Sequence, residues 1–258
     1  MAHTFILVNP QKEPERYAHL VAQIKTVHLP RVSFFHHIWG DEITEDIRLE
    51  YCKSDTAMKL HGRNKETEPL SNGEVSLFLN HIECLKKIRR DHTDGLFVIM
   101  ESDVIFHAGF EQKFAVLLAA VAELPNWDIV NIGNTKSWMR KKHYKAVPIV
   151  IHGVKFYREK INRCAEAIVW NYRSVCKFLD YFEETGDIDS PIDMKMDVFS
   201  EFQGNFTIYW NEPTFISQGS IDHTFKSHLR LNVKKQRWIY PVLAIFFVGL
   251  VLVMQAVL

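Results

Sequence analysis

An α/β domain followed by a C-terminal transmembrane helix is what this sequence predicts, on three observations. Apolar runs of strand length alternate with amphipathic stretches of helix length from the first residues onward. One such run, "GLFVIM" at 95–100, ends abruptly on Glu101-Ser102-Asp103. The final stretch, 239–258, carries no charged residue.

In chain order, "HTFILVN" (His3 to Asn9) reads as a buried strand. Pro14 opens a helix with Tyr17, Leu20, Val21 and Ile24 at helical spacing. "RVSFFHHIWG" is a second strand closed by Gly40. This β-α-β beginning favours a parallel sheet with helices on its faces. Residues 41–69 are polar and weakly patterned, a loop with short helical pieces. From Ser71 a strong helix begins, with Ser71 or Asn72 as cap, Glu74 in the first turn and a basic cluster in the last. After the strand at 95–100 come a helix at 110–123, the strand "WDIVNIG", and a loop carrying "WMRKKHYK". "AEAIVW" reads as a strand, "YRSVCKFLDYFEE" and "SPIDMKMDVFSEFQ" as helices, and "FTIYW" and "PTFISQGS" as short closing strands.

The chain has 258 residues, enough for one sizeable domain. Lys+Arg and Asp+Glu are equal at 31 each, so there is no electrostatic case for nucleic-acid binding. The four cysteines form no CxxC pair and no zinc-ligand spacing, and read as reduced thiols. No signal peptide is evident at the N-terminus. At about 1.5 Å per residue, a helix over 239–258 would cross the roughly 30 Å hydrocarbon core. Trp238 and Tyr240 lie where interfacial aromatics belong, and Arg230, Lys234, Lys235 and Arg237 precede the span. By the positive-inside rule the large domain is cytosolic. The expected organisation is a globular domain at 1–230, a basic linker at 231–238 and a single-pass C-terminal anchor at 239–258.

The acid cluster carries the chemistry. In an open α/β sheet, ligands gather at the carboxyl ends of the strands. Two carboxylates there repel one another and resist burial, so a cation or water should be waiting. Glu101 and Asp103, one residue apart in a turn, can converge on a hard divalent ion such as Mn²⁺ or Mg²⁺. Such an ion would bridge the diphosphate of a nucleotide-sugar and stabilise it as it leaves. Solvated loop acids, or Asp103 as a helix cap, are the plainer readings of the same spacing.

Several ordered motifs resemble glycosyltransferase family 25, which includes bacterial lipooligosaccharide and animal procollagen galactosyltransferases. "VNPQKEPERY" is similar to the family's opening strand and its Pro-Glu-Arg, keeping Asn9, Pro14, Glu15 and Arg16. "LSNGEVSLFLNH" is similar to its Leu-Ser/Thr-x-Gly-Glu-x-x-x-x-Leu-Ser-His, with Asn80 in place of Ser, both residues suited to a helix surface. "MESDV" resembles its Leu-Glu-Asp-Asp-Val, "WDIVNIG" its Trp-Asp-Leu-Ile-Tyr-Leu-Gly, "SPIDMKMD" its late Pro-x-Asp, and "PTFISQ" its Pro-x-x-x-x-Gln.

The resemblance implies a GT-A fold, a nucleotide-sugar donor (UDP-galactose in the well-known members) and inversion at the anomeric carbon. The expected acceptor is a glycan, glycolipid or glycoprotein hydroxyl, and UDP-glucose is the competing donor. The resemblance also implies a divalent metal, Mn²⁺ or Mg²⁺, at Glu101 and Asp103. It favours donor binding by Asn9 and Arg16, with Glu74 and His81 on the helix motif; His81 either faces the donor or packs within the helix. An inverting displacement also needs a general base, and Asp193 is the candidate, with Asp197 one turn on. Ser102 stands where the family has a central Asp. If the outer two acids hold the metal, activity survives. If the middle one is needed, the chain is a degenerate, membrane-anchored sugar-binding scaffold.

Overall fold

The computed structural model describes residues 2–53, 70–133, 147–159, 164–203 and 206–227. Met1–Lys226 form one compact unit; of a second, Ser227–Leu258, only Ser227 is among the described residues. The "WMRKKHYK" loop, the basic linker and the apolar stretch at 239–258 therefore lie outside them. Among the described residues no helix is long and apolar enough to cross a membrane.

The elements in order are β1 (Ala2–Leu7), α1 (Pro14–Thr26), β2 (Val32–Phe35), a 3-10 turn (Gly40–Glu42), α2 (Glu45–Tyr51), α3 (Asn72–Asp91), β3 (Leu96–Glu101) and β4 (Val104–Phe106). There follow α4 (Phe110–Glu123), β5 (Ile129–Asn131), β6 (Ile149–Ile151), β7 (Val154–Glu159), β8 (Ala167–Asn171), α5 (Tyr172–Thr185), α6 (Ile192–Gln203), β9 (Ile208–Glu212) and β10 (Ile216–Gln218). The expected elements are present within these residues. The hairpin β6–β7 and the short β4 were not foreseen.

The main sheet has the order β2-β1-β3-β8-β5-β9-β7-β6. It is mixed, which corrects the expectation of a parallel sheet. β2, β1, β3, β5, β9 and β6 run one way, and β8 and β7 run the other. The reversed strand β8 lies between β3 and β5, with Met100 opposite Ala167. Its amino-terminal flank thus arrives beside the carboxyl end of β3.

β3 is apolar from Leu96 to Met100 because both faces of the sheet are covered. Its alternate residues enter different cores: Phe97 and Ile99 pack with Phe78, Ile82 and Phe178 of α3 and α5. Val98 and Met100 pack with Leu20, Phe114 and Leu117 of α1 and α4. This is the period-2 alternation of a strand, buried on both sides. β4 pairs antiparallel with β10. Its other edge is held by one side chain: Gln23 of α1 donates to the Val104 carbonyl (3.0 Å) and accepts from the Phe106 N–H (2.7 Å), replacing a neighbouring strand.

α3 starts with a reciprocal capping box. Ser71 accepts from the Glu74 N–H (3.2 Å), and the Glu74 carboxylate accepts from the Ser71 N–H (2.9 Å). Asn80 is buried rather than on the helix surface. It accepts from the His37 N–H (2.7 Å) and donates to the Ile38 carbonyl (2.6 Å), pinning the segment after β2 to α3.

Candidate functional site

Glu101 closes β3, and Ser102 and Asp103 turn the chain into β4. All three are buried, at 8%, 6% and 2% exposure, although two are acids. The loop is held by backbone from distant parts of the chain. The Glu101 N–H donates to the Glu166 carbonyl (2.9 Å), and the Gly219 N–H donates to the Asp103 carbonyl (2.7 Å). A Cβ at Gly219 would lie 3.0 Å from that carbonyl oxygen and 2.6 Å from the Phe225 ring, so the close approach requires glycine.

The two carboxylates are only partly satisfied. Glu101 Oε2 accepts from Gln218 Nε2 at 3.3 Å, and Asp103 Oδ2 accepts from the Ser220 N–H at 3.2 Å. Asp103 Oδ1 is buried with no hydrogen-bond partner. Burial raises the Glu101 pKa well above the ordinary carboxylate range, with further contributions from the negative charges of Asp103 and Asp193. Arg16 opposes the shift without cancelling it. Burial is costly for a charge lacking a close partner, and among the described residues Arg16 is the one cation that acts on Glu101.

His81 of α3 is fully buried, and neither ring nitrogen has a hydrogen-bond partner. Its Nε2 lies 3.8 Å from Glu101 Oε1. Burial pushes its pKa down to about 4, with Asp193 pulling the other way. The ring is therefore neutral near pH 7, and this approach is no ion pair.

Asp193 lies at the start of α6, half-buried. Its Oδ2 accepts from the Cys164 N–H and its Oδ1 from the Met194 N–H, both at 2.9 Å. Cys164 has φ 65°, a left-handed conformation that costs a non-glycine residue about 1 kcal/mol. Asn131 Nδ2 holds the Cys164 carbonyl at 2.9 Å, so this turn is tied to β5 as well as to Asp193. Asp197, expected at the helix surface or in the cleft, is buried.

Arg16 provides the nearby cation that the acid cluster demands, but it is engaged by the protein itself. Nη1 donates to Glu13 Oε1 (3.0 Å) and Ser102 Oγ (2.8 Å), and Nη2 donates to the Lys226 carbonyl (2.6 Å). Its guanidinium also lies 5.7 Å from the centre of the Phe225 ring. Asn9 shapes the turn before α1: its Oδ1 accepts from the Gln11 and Lys12 N–H groups, and its Nδ2 meets His36 Nε2 at 3.0 Å. It touches the acid motif only indirectly, its N–H donating to Glu13 Oε2. Glu74 is occupied in the α3 cap. The structure thus gathers Glu101, Asp103, Asp193, His81 and Arg16, and leaves Asn9 and Glu74 in local structural roles.

Three residues here escaped sequence reading. Glu13 joins the motif through Ser102. Cys164 orients Asp193. Glu166 is 1% exposed, and a Cβ on Gly133 would overlap its carboxyl group, so the glycine ending "WDIVNIG" makes room for a buried acid. The visible signal was Glu166 ahead of a wholly apolar strand; reversed, that strand brings its first residues to the site. Among the described residues, no group of three or more His, Cys, Asp and Glu side chains could hold a metal by itself. Glu101 and Asp103 are nonetheless hard oxygen donors with one orphaned oxygen between them, which suits a divalent ion that takes its other ligands from phosphate and water.

In an open α/β sheet the carboxyl ends of the strands are where ligands gather, and Glu101 and Asp103 lie at such an end. The model for glycosyltransferase family 25 (LPS biosynthesis protein) matches residues 1–187, and the chain belongs to this family. Its family is thus one of glycosyltransferases, acting between a sugar donor and an acceptor. Among curated proteins no sequence matches the chain. Asp193 and Gln218 lie beyond the matched residues; Gln218 donates to Glu101, and the Asp193 charge acts on the same carboxyl.

Proposed function

We propose that the chain is a metal-dependent, inverting glycosyltransferase of GT-A architecture that moves a hexose, galactose before glucose, from a UDP-sugar to a hydroxyl of a glycan, glycolipid or glycoprotein. The observation that carries this reading is the buried Glu101–Asp103 pair, with Asp103 Oδ1 unpartnered and the Glu101 pKa raised. Glu101 and Asp103 would hold Mn²⁺ or Mg²⁺. When bound, that ion would supply charge neutralisation for the departing diphosphate.

The chain's own residues do the rest. The Cys164 and Met194 N–H groups fix the Asp193 carboxylate in one orientation, leaving it to accept the proton of the acceptor hydroxyl. Gln218 and the Ser220 N–H orient the two metal-facing carboxylates. His81, neutral and buried, excludes water behind Glu101 without adding positive charge. The transferase unit would occupy 1–230. The basic linker at 231–238 and the uncharged stretch at 239–258 would anchor it to a membrane with the active unit on the cytosolic side, a reading that rests on sequence alone.

The test is a panel of nucleotide-sugars incubated with the full chain in detergent, with Mn²⁺ or with chelator. Release of nucleoside diphosphate from one donor, lost with chelator, is the expected result. A folded chain that neither binds nor hydrolyses any donor would instead leave a scaffold that keeps the fold without turnover.

A further inference from the structure

The centre of the acid motif faces away from its two neighbours. Ser102 Oγ donates to Glu13 Oε1 at 2.6 Å and accepts from Arg16 Nη1 at 2.8 Å. Arg16 closes the triangle on Glu13 at 3.0 Å and reaches on to the Lys226 carbonyl at 2.6 Å. Glu13, Arg16 and Ser102 are each at most 8% exposed. The segment that Arg16 grips at Lys226 is the one whose Gly219 and Ser220 N–H groups donate to Asp103. A single buried cluster therefore joins the start of α1, the acid turn and the segment after β10.

We propose that Glu13, Ser102 and Arg16 form a matched positioning set that fixes the direction of the Glu101 and Asp103 carboxylates, with serine required at the centre because Glu13 already supplies the carboxylate there. The proposal rests on the reading of Glu101 and Asp103 as the pair that meets a divalent ion. A hydroxyl can both donate to Glu13 and accept from Arg16. An aspartate at 102 can accept from Arg16 but has no proton for Glu13, and the two carboxylates would face one another at hydrogen-bond distance with one guanidinium between them. Charge repulsion would then turn the loop, and with it the acids on either side. A glutamine at 13 restores a donor, so the two positions should compensate.

The experiment compares wild type, S102D, E13Q and E13Q/S102D as full chains. Direct Mn²⁺ binding is measured by titration, and hydrogen exchange is followed at the Gly219 and Ser220 amides. Removing an outer partner of a metal ligand typically weakens affinity about 10–100-fold. S102D should bind Mn²⁺ about tenfold more weakly and exchange both amides faster. E13Q/S102D should recover affinity to within about threefold, with amide protection restored, as expected of compensating neighbours. If S102D binds as tightly as wild type, or the double variant is no better than S102D, the proposal is overturned.

If wild type binds no Mn²⁺, the metal reading fails, and hydrogen exchange decides the positioning set alone. Amides deprotected in S102D and reprotected in the double variant uphold it. Amides unchanged across the four chains overturn it.

Discussion

Asp128, just ahead of β5, and the Glu101–Asp103 pair, at the close of β3, are acids buried at opposite ends of the same sheet. Asp128 is 3% exposed, close to the 2% of Asp103. It accepts from the Thr207 N–H (2.7 Å) and Lys177 Nζ (3.2 Å), with Arg173 Nη2 at 3.8 Å. Two cations of α5 and an N–H from the segment before β9 surround it. At the other end, one Asp103 oxygen has no partner, and the Arg16 guanidinium is directed at Glu13 and Ser102. Where an acid serves only to hold loops together, the fold neutralises it. At the acid turn the Asp103 oxygen is left unpartnered, and on the proposed reading stability is given up there for a bound cation.

The largest expected effect tests that division directly. Asp103→Asn should lower donor turnover about a hundredfold or more, the loss of several kcal/mol of transition-state stabilisation, while the melting temperature stays level or rises. A variant that loses stability and keeps turnover would break the comparison.

Next is the acid limb of stability. Burial lowers the folded-state pKa of His81 from 6.5 to about 4. Its contribution is full above pH 6.5 and is lost as pH falls toward 4, because the unfolded chain takes up the proton first. Glu101 has the opposite sign. Its raised pKa favours the folded state below 4.5, and that contribution is lost as pH rises through the shifted value. His81→Leu should flatten the rise in stability between pH 4 and 6.5 by up to about 3 kcal/mol, read by denaturant unfolding at several pH values. An unchanged slope would show that His81 is not the titrating group.

Asp128→Asn should destabilise by about 2 kcal/mol, the range for a hydrogen bond to a charged group, with donor affinity unchanged. Loss of donor binding would join the two regions that the comparison separates. The smallest effect belongs to Gln23→Ala, which frees one edge of β4. A loss of about 1 kcal/mol is expected, with faster hydrogen exchange at Phe106.

The elements on which this comparison rests differ in how readable they were. The strand at 95–100, the helix from Ser71 and its Glu74 cap follow from apolar pattern and cap chemistry, which are local. The acidic turn after that strand follows from where its apolar run stops, and the family from ordered motifs. What could not be read was direction and register. β8 has the apolar composition of any buried strand, and nothing within it says that it runs backwards and carries Glu166 to the site. Arg16 shows the same limit: the resemblance set it toward the donor, and its bonds to Glu13 three residues earlier and to Ser102 in a distant turn could not be read. Asn80 was read as a surface residue because its hydrogen-bond partners lie in another part of the chain.

The Arg16 bond to the Lys226 carbonyl has a consequence for the order in which the protein is made. It closes a loop spanning nearly all of the compact unit, and the Gly219 and Ser220 contacts to Asp103 close almost as late. During synthesis, the acid turn emerges long before the segment that clasps it. A nascent chain that has built β1, α1 and β3 still lacks these partners for the acid turn, and the geometry of that turn is set only when the last residues of the unit leave the ribosome.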